Sequence, residues 1–383
     1  MSEISLAPLV ERLIAWSAIN SGSGHLAGLG RMADTLEAAL RELTPHVERL
    51  PLDDAGRVAL RATCRPEAPR RVLCSGHYDT VFAADHPFQS AALNEDGSRL
   101  HGPGVADMKG GIVVMLAALA AFEKTAAAAH LGWTILLTPD EETGSVASAA
   151  TIAAAAPGHL LGLVFEPARE TGAMVRSRAA TGEFHATMHG RAAHAGRDPE
   201  NGRNAIVALA EVIAVINRLP DTIPDLLVNL ATISGGGTIN IVPDRATVAI
   251  NARASTSAAI AGFDEAWRNL VADWSARDGY RLEFTGQFNR DPLQATPVRD
   301  AHFATLQSCA ADLGLAPLSW MHVTGGSDAN LLHAAGLPCL DGLGPIGGGL
   351  HSTNEYIETA SLTDRARLVA SFLHAIALAG KNG

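Results

Sequence analysis

Residues 131–145, LGWTILLTPDEETGS, carry an apolar strand straight into three consecutive carboxylates, Asp140, Glu141 and Glu142. Like charges at a strand end repel, and a buried carboxylate is costly unless something pairs with it. Either solvent screens these three or a cation sits among them. The pattern recurs on either side. RRVLCSGHYDTV (70–81) is a short apolar strand ending in polar residues, and HLLGLVFEP (159–167) is a strand running into Glu166. Between them lie GGIVVMLAALAAFEKT (110–125), an apolar helix entered through a glycine pair, and an Ala-rich helix near 145–156. Strands alternating with helices predict an α/β fold whose mostly parallel sheet has helices on both faces. In such sheets ligands bind beyond the carboxyl ends of the strands. Asp79, Glu141 and Glu166 all fall there.

Two amphipathic helices, 4–19 and 26–43, precede this region. From about Ser177 the texture changes. GEFHATMHGRAAHAG (182–196) alternates like an antiparallel edge or hairpin strand. Then come a helix (204–219), strands at 226–233 and 246–255, a helix (257–277) and a strand (281–288). That β-α-β-β-α-β order is the ferredoxin-like split arrangement. Residues 178–290 are therefore expected to form an α+β domain inserted into a first domain made of 1–177 and 291–383. The returning stretch holds helices near 300–313 and 361–379 around the glycine-rich GLPCLDGLGPIGGGLHS.

A chain of 383 residues is long for a single core, which agrees with two domains. Its 29 basic against 40 acidic residues give a net charge of −11, which disfavours nucleic acid or an anionic membrane as a partner. The four cysteines, Cys64, Cys74, Cys309 and Cys339, have no CxxC spacing and read as reduced, mostly buried thiols. The N-terminal segment lacks the features of a signal peptide, and no apolar run reaches the roughly 18 residues of a membrane span. A cytoplasmic location is the expectation.

The chemistry-bearing residues are His77 and Asp79 in GHYDTV, Asp107 in GPGVADMKGG, Glu141 and Glu142 in PDEETGS, Glu166 in VFEPA and His351 in GLHSTNEY. Histidines grouped with carboxylates suit zinc, with cobalt or manganese as substitutes. Each residue alone has a plainer reading. A histidine after a strand can be held by a structural hydrogen bond, and adjacent carboxylates favour the start of a helix. The convergence of all of them on strand ends favours a metal site.

GHYDTV, GPGVADMKGG, DEETGS, FEP, GRAAHAG, NIVP, GGSDA and GLHS, in this order over residues 76–354, give the chain its resemblance to a known family. It resembles the co-catalytic zinc peptidase superfamily of glutamate carboxypeptidase, aminoacylase and acetylornithine deacetylase, and within it the bacterial glutamate carboxypeptidase branch. The resemblance implies two zinc ions bridged by Asp107, one completed by His77 and Glu166, the other by Glu142 and His351. Asp79 matches the carboxylate that orients the ligand imidazole, and the peptide bond after Asp107 is expected to be cis. Glu141 matches the general base, which takes a proton from the water between the metals and returns it to the leaving amine. Asp140 matches no role, and a capping carboxylate is its expected use.

By the same resemblance, His194 of GRAAHAG reaches the partner subunit's site and steadies the oxyanion, which implies a homodimer with the inserted domain as dimerisation lid. Asn240, Arg253 and Gly326, with Ser327 beside it, match contacts to the substrate; a planar guanidinium suits a carboxylate. The implied activity is hydrolysis of an amide bond to release an amino acid with a free carboxylate, from a small peptide or an N-acyl amino acid. Two departures bear on specificity. GPG stands where many relatives have GRG, which resembles the glutamate carboxypeptidase branch. Met174 stands where a basic residue would read a glutamate side chain, with Arg169 and Arg176 nearby. An N-acyl amino acid deacylase is the alternative within the enzymes, and a non-catalytic amino-acid-binding homologue the alternative outside them.

Overall fold

In the computed structural model, which describes residues 4–379, the strand Arg71–His77 lies inside an eight-stranded sheet. The order is Val47–Pro51, Val58–Cys64, Gly132–Thr138, Arg71–His77, Leu161–Val164, Cys339–Asp341, Met174–Arg178, Trp320–Val323. The four strands from Gly132–Thr138 to Cys339–Asp341 are parallel, and antiparallel strands flank them. Strand alternation sends side chains to two buried faces. Val72, Cys74, Trp133, Ile135, Leu137, Leu161, Leu163 and Phe165 enter the main core. Leu73 and Leu136, equally buried, point the other way, where Gly162 meets Leu332 and Leu337. The helix Lys109–Glu123 covers the first face together with Ala360–Ala379, and Asp328–Ala334 touches Arg71–His77 from the second. Parallel pairing puts the carboxyl ends of the central strands at one edge, which carries His77, the 139–142 turn and Glu166.

Lys109–Glu123 is apolar nearly all round and almost wholly buried, as a helix between sheet and helix must be. Its glycine pair is a matter of space. A Cβ at Gly111 would lie 1.9 Å from the Phe165 carbonyl oxygen, and one at Gly110 would lie 2.1 Å from that of Val105. Only glycine lets this helix start so close to the backbone that carries Glu166.

The chain divides into two compact units: Met1–Arg176 with Ala295–His322 and Ser327–Gly383, and Ser177–Gln294 with Val323–Gly326. Residues 177, 291–294 and 323–326, assigned from the sequence to the first domain, fall in the second unit. The reason is local hydrogen bonding. Ala179 N–H donates to Val323 O, Arg178 pairs through its backbone with Leu293, and its guanidinium donates to the carbonyls of Gly325 and Gly326.

The second unit holds a four-stranded antiparallel sheet in the order Leu226–Gly235, Arg245–Ala254, Ala180–His189, Arg281–Phe288. Numbered along the chain this is 2-3-1-4, the ferredoxin-like order. Ala180–His189 is therefore an interior strand rather than an edge, and it ends before GRAAHAG. Phe184, Ala186 and Met188 face the same way as Val248, Ile250 and Ala252, into a core closed by the helices Ala205–Ile216 and Ser257–Ser275. Asn204 and Thr256 cap these helices through their side-chain oxygens. The odd-numbered residues, Arg253 among them, line the open face. Phe184 packs against Phe263, Phe284 and Phe288 at 4.9–5.2 Å between centroids. Phe184→Ala should therefore destabilise this unit by about 3–5 kcal/mol. Denaturant unfolding monitored by tryptophan fluorescence would check it, and a loss under about 1 kcal/mol would contradict the packing.

All four cysteines are free thiols, three of them buried. Among the described residues no helix is long and apolar enough to cross a membrane. The sequence reading missed the pair Val47–Pro51 and Val58–Cys64, whose irregular burial gives no clean alternation, and the three-residue strand Cys339–Asp341.

Candidate metal centre

His77 ends its strand with the ring almost fully buried. Its Nε2 lies 3.0 Å from Asp107 Oδ1 and 3.7 Å from Glu166 Oε1, and its Nδ1 lies 3.2 Å from Asp79 Oδ1. His351 Nε2 lies 3.1 Å from Glu142 Oε2 and 3.4 Å from Asp107 Oδ2. Two ligand groups result, His77–Asp107–Glu166 and Asp107–Glu142–His351, with the donor atoms of each within 4.8 Å of one another. Asp107 belongs to both through its two oxygens.

The electrostatics ask for a cation. Burial, together with the nearby Asp107 charge, pushes Glu142 up to about 8. Hydrogen bonds to Asp107 and Glu142 raise His351 to about 11. Burial opposes charge on His77, yet Asp107 and Asp79 outweigh it and raise the imidazole well above its ordinary value. Burial likewise opposes the Asp107 carboxylate, but the two imidazoles hold it well below the usual range. Imidazole nitrogens and carboxylate oxygens in this ratio are the donor set of a borderline divalent ion.

Backbone hydrogen bonds set these positions. Asp79, fully buried, accepts from the amides of Glu141 (3.1 Å, Oδ1) and Glu142 (3.2 Å, Oδ2) and from the Ser23 hydroxyl (2.7 Å). It therefore anchors the turn that carries Glu141 and Glu142, and His77 Nδ1 lies 3.2 Å both from its carboxylate and from its backbone carbonyl oxygen. Asp140 Oδ2 accepts from the amides of Ala147 and Ser148 at 2.7 and 3.2 Å, closing the loop before the helix Ala149–Ala155. The three carboxylates of PDEE thus separate by use. Asp140 caps a loop, Glu142 joins a ligand group, and Glu141 sits between them in a 3-10 turn, outside both groups. The Asp107–Met108 peptide is cis, and His351 adopts a left-handed backbone with φ 60°.

Sequence reasoning assigned no role to Glu355 or Ser23. Glu355 lies within the quoted GLHSTNEY stretch, but its partners are backbone amides some 250 positions away, for which no local pattern exists.

His194, Asn240, Arg253 and Gly326 lie in the second unit, and Ser327 in the first. His194 is exposed, and its Nδ1 accepts from the amides of Gly196 and Arg197 at 3.1 Å, so the ring proton sits on Nε2 as a free-standing donor. Asn240 is exposed and accepts through its backbone from Ala195. Arg253 donates to Thr324 O at 2.9 Å and to the Asn251 side chain at 3.3 Å. Gly326 lies in the loop braced by Arg178 and Arg290. Ser327 is not available as a substrate contact. It is buried as the cap of Asp328–Ala334 and donates to Asp341 at 3.1 Å. Met174 belongs to the main core, and Arg176 is paired with Asp300. Arg169, by contrast, lines a cavity of about 410 Å³ with Glu170, with Pro167, which follows Glu166 in the chain, and with Gly347–Leu350, which precede His351.

Residues 73–375 match the family described as Peptidase family M20/M25/M40. The chain belongs to that family. Membership makes it a hydrolase of amide bonds. Carboxypeptidase G2 of Pseudomonas sp. (strain RS-16) is 27% identical over 367 residues, covering 93% of this chain and 86% of that protein. Succinyl-diaminopimelate desuccinylase of Paracidovorax citrulli (strain AAC00-1) is 29% identical over 324 residues, covering 79% and 80%. Among solved structures, a tripeptidase from Staphylococcus aureus subsp. aureus Mu50 shares the fold with a TM-score of 0.81 at 22% identity, covering 98% of this chain and all of that one. The M20 relatives thus carry more than one activity on one scaffold.

Proposed function

We propose that this M20 protein is a two-zinc amidohydrolase that releases a C-terminal amino acid with a free α-carboxylate. The observation carrying this reading is the double use of Asp107, whose two oxygens serve two histidine-carboxylate groups. His77, Asp107 and Glu166 would hold one ion, and Asp107, Glu142 and His351 the other. When bound, the metal pair polarises the scissile carbonyl and lowers the pKa of water. Glu141 accepts the proton of the attacking water and returns it to the leaving nitrogen, which is general base and then general acid catalysis. Asp79 keeps the His77 tautomer and ring orientation fixed. In the dimer, His194 of the partner subunit would offer its Nε2–H to the carbonyl oxygen as negative charge develops there. Arg253 and Asn240 anchor the α-carboxylate, beside the Gly326 loop.

A homodimer belongs to this reading. Supporting it, the long strand Leu226–Gly235 is a sheet edge with Leu227 and Ile233 exposed, and the helix Ala205–Ile216 exposes Ile206, Val207 and Val215. An apolar edge of this kind is normally covered. A monomeric mass in sedimentation equilibrium would remove the dimer from the proposal.

The side chain of the released amino acid is assigned to the cavity that Arg169 shares with Glu170, where the Arg169 guanidinium would meet an acidic residue. The alternative, an N-acyl amino acid deacylase, draws support from the desuccinylase among the relatives. Zinc-loaded protein incubated with a mixed library of N-acyl amino acids and dipeptides, followed by mass spectrometry, separates them. Release of glutamate or aspartate from dipeptides, lost in Arg169→Ala, is the expected result. Release from short N-acyl compounds alone would establish the deacylase. No release above the Glu141→Ala blank would overturn both.

A further inference from the structure

Glu355 is a buried carboxylate, 1% exposed, that grips the backbone of the loop carrying Asp107 from its own place on the loop carrying His351. Its Oε1 accepts from the amides of Ala106 and Asp107 at 2.9 and 3.1 Å, and its Oε2 from that of Gly104 at 3.1 Å. Its backbone carbonyl accepts from Gly102 N–H at 3.2 Å, and its own N–H donates to Ser352 O at 3.2 Å. Four amides of the 102–107 segment therefore end on one residue. That segment has no regular structure to satisfy its N–H groups, and buried amides must find a partner.

Glu355 also follows His351 by four residues. The tie is rigid at both ends. Tyr356 pairs with Gly348 on one side and with His101 on the other, in a small antiparallel sheet. The same turn is closed by Ser352, whose hydroxyl donates to Gly349 O at 2.7 Å. The loop of the shared ligand and the loop of His351 are thus fastened to one another through Glu355, while the Asp107 carboxylate stays free to face His77 and His351.

We infer that Glu355 is a positioning residue that sets the Asp107 carboxylate between the two ligand groups by holding the 104–107 backbone. This rests on the metal reading above. It distinguishes Glu355 from a residue that merely supports the fold, because an error in the Asp107 backbone is felt by both metals at once. Hydrogen-bonded partners behind ligands typically govern metal affinity by about 10–100-fold.

The test compares wild type, Glu355→Gln and Glu355→Asp. Gln turns an NH2 group toward donor amides, and Asp keeps the charge but shortens the reach. Zinc affinity of the metal-free proteins is measured by competition with a chromophoric chelator, alongside kcat, KM and the melting temperature of the metal-free form. The expected result is a loss of about 10–100-fold in affinity at both sites, with kcat falling and KM within about twofold of wild type. A folded Glu355→Gln that binds two zinc ions like wild type overturns the inference. So does an effect confined to the metal-free melting temperature. If Glu355→Gln does not fold, Glu355→Asp decides by the same criteria. A wild type that takes up no zinc rejects the metal reading and this inference with it. Normal uptake by wild type and variant alike rejects the inference alone.

Discussion

Replacing Glu141 by alanine is expected to lower kcat by about 10²–10⁴-fold, the usual worth of a positioned general base, while leaving zinc content and KM nearly unchanged. The separation follows from geometry. Glu141 belongs to neither ligand group, and its backbone serves the turn through its N–H, held by Asp79 at 3.1 Å, and its carbonyl, which accepts from Gly144 at 2.8 Å. Alanine keeps that amide. Glu142 also keeps its own amide bond to Asp79, so the neighbouring ligand is not displaced. Zinc analysis and steady-state kinetics on the same preparation decide the matter. Near-normal turnover in a metal-loaded Glu141→Ala protein would show that another group moves the proton and that the assigned mechanism is wrong.

The second large effect is expected at Asp107. Each ligand group holds three residues, and Asp107→Ala removes one from both at once. It also strips His77 and His351 of their nearest shared carboxylate, at 3.0 and 3.4 Å. Zinc content should fall from two per chain to near zero, and activity should become undetectable. Wild type should gain about 2.7 kcal/mol of stability per site when free zinc exceeds the dissociation constant by about 100-fold, and the variant should gain none. Glu142→Ala is the control, since it touches only one group and should spare the His77–Asp107–Glu166 ion. Calorimetry with and without zinc, beside elemental analysis, reads both quantities. Two tightly bound ions in Asp107→Ala would dismiss the shared-ligand reading.

The edge that carries the candidate site was legible in the sequence because three strands there announce themselves. Each is an apolar run that breaks abruptly into ionisable residues, and His77, Glu142 and Glu166 sit within a few residues of the break. Asp107 and His351 lack that signal. They lie on loops, and only the ordered motifs of the family placed them beside the others. The inserted unit was legible through its alternation and its helix periods, but the interior place of Ala180–His189 was not. Strand order depends on pairing partners some 60–100 residues away, and alternation looks alike on an edge and inside a sheet.

The sequence alone determined which residues can carry the chemistry, because donor type and strand-end placement are written locally. Tertiary structure decided how those residues are used. It brought Asp107 between two histidines distant in the chain and gave Asp79 the amides of Glu141 and Glu142 as well as the His77 ring. It closed Met174 into the core, turned Ser327 into a helix cap, and made Glu355 the tie between two loops. Each of these outcomes rests on hydrogen bonds and packing between segments far apart in sequence. Such contacts form only when the backbone closes, and no spacing rule encodes them.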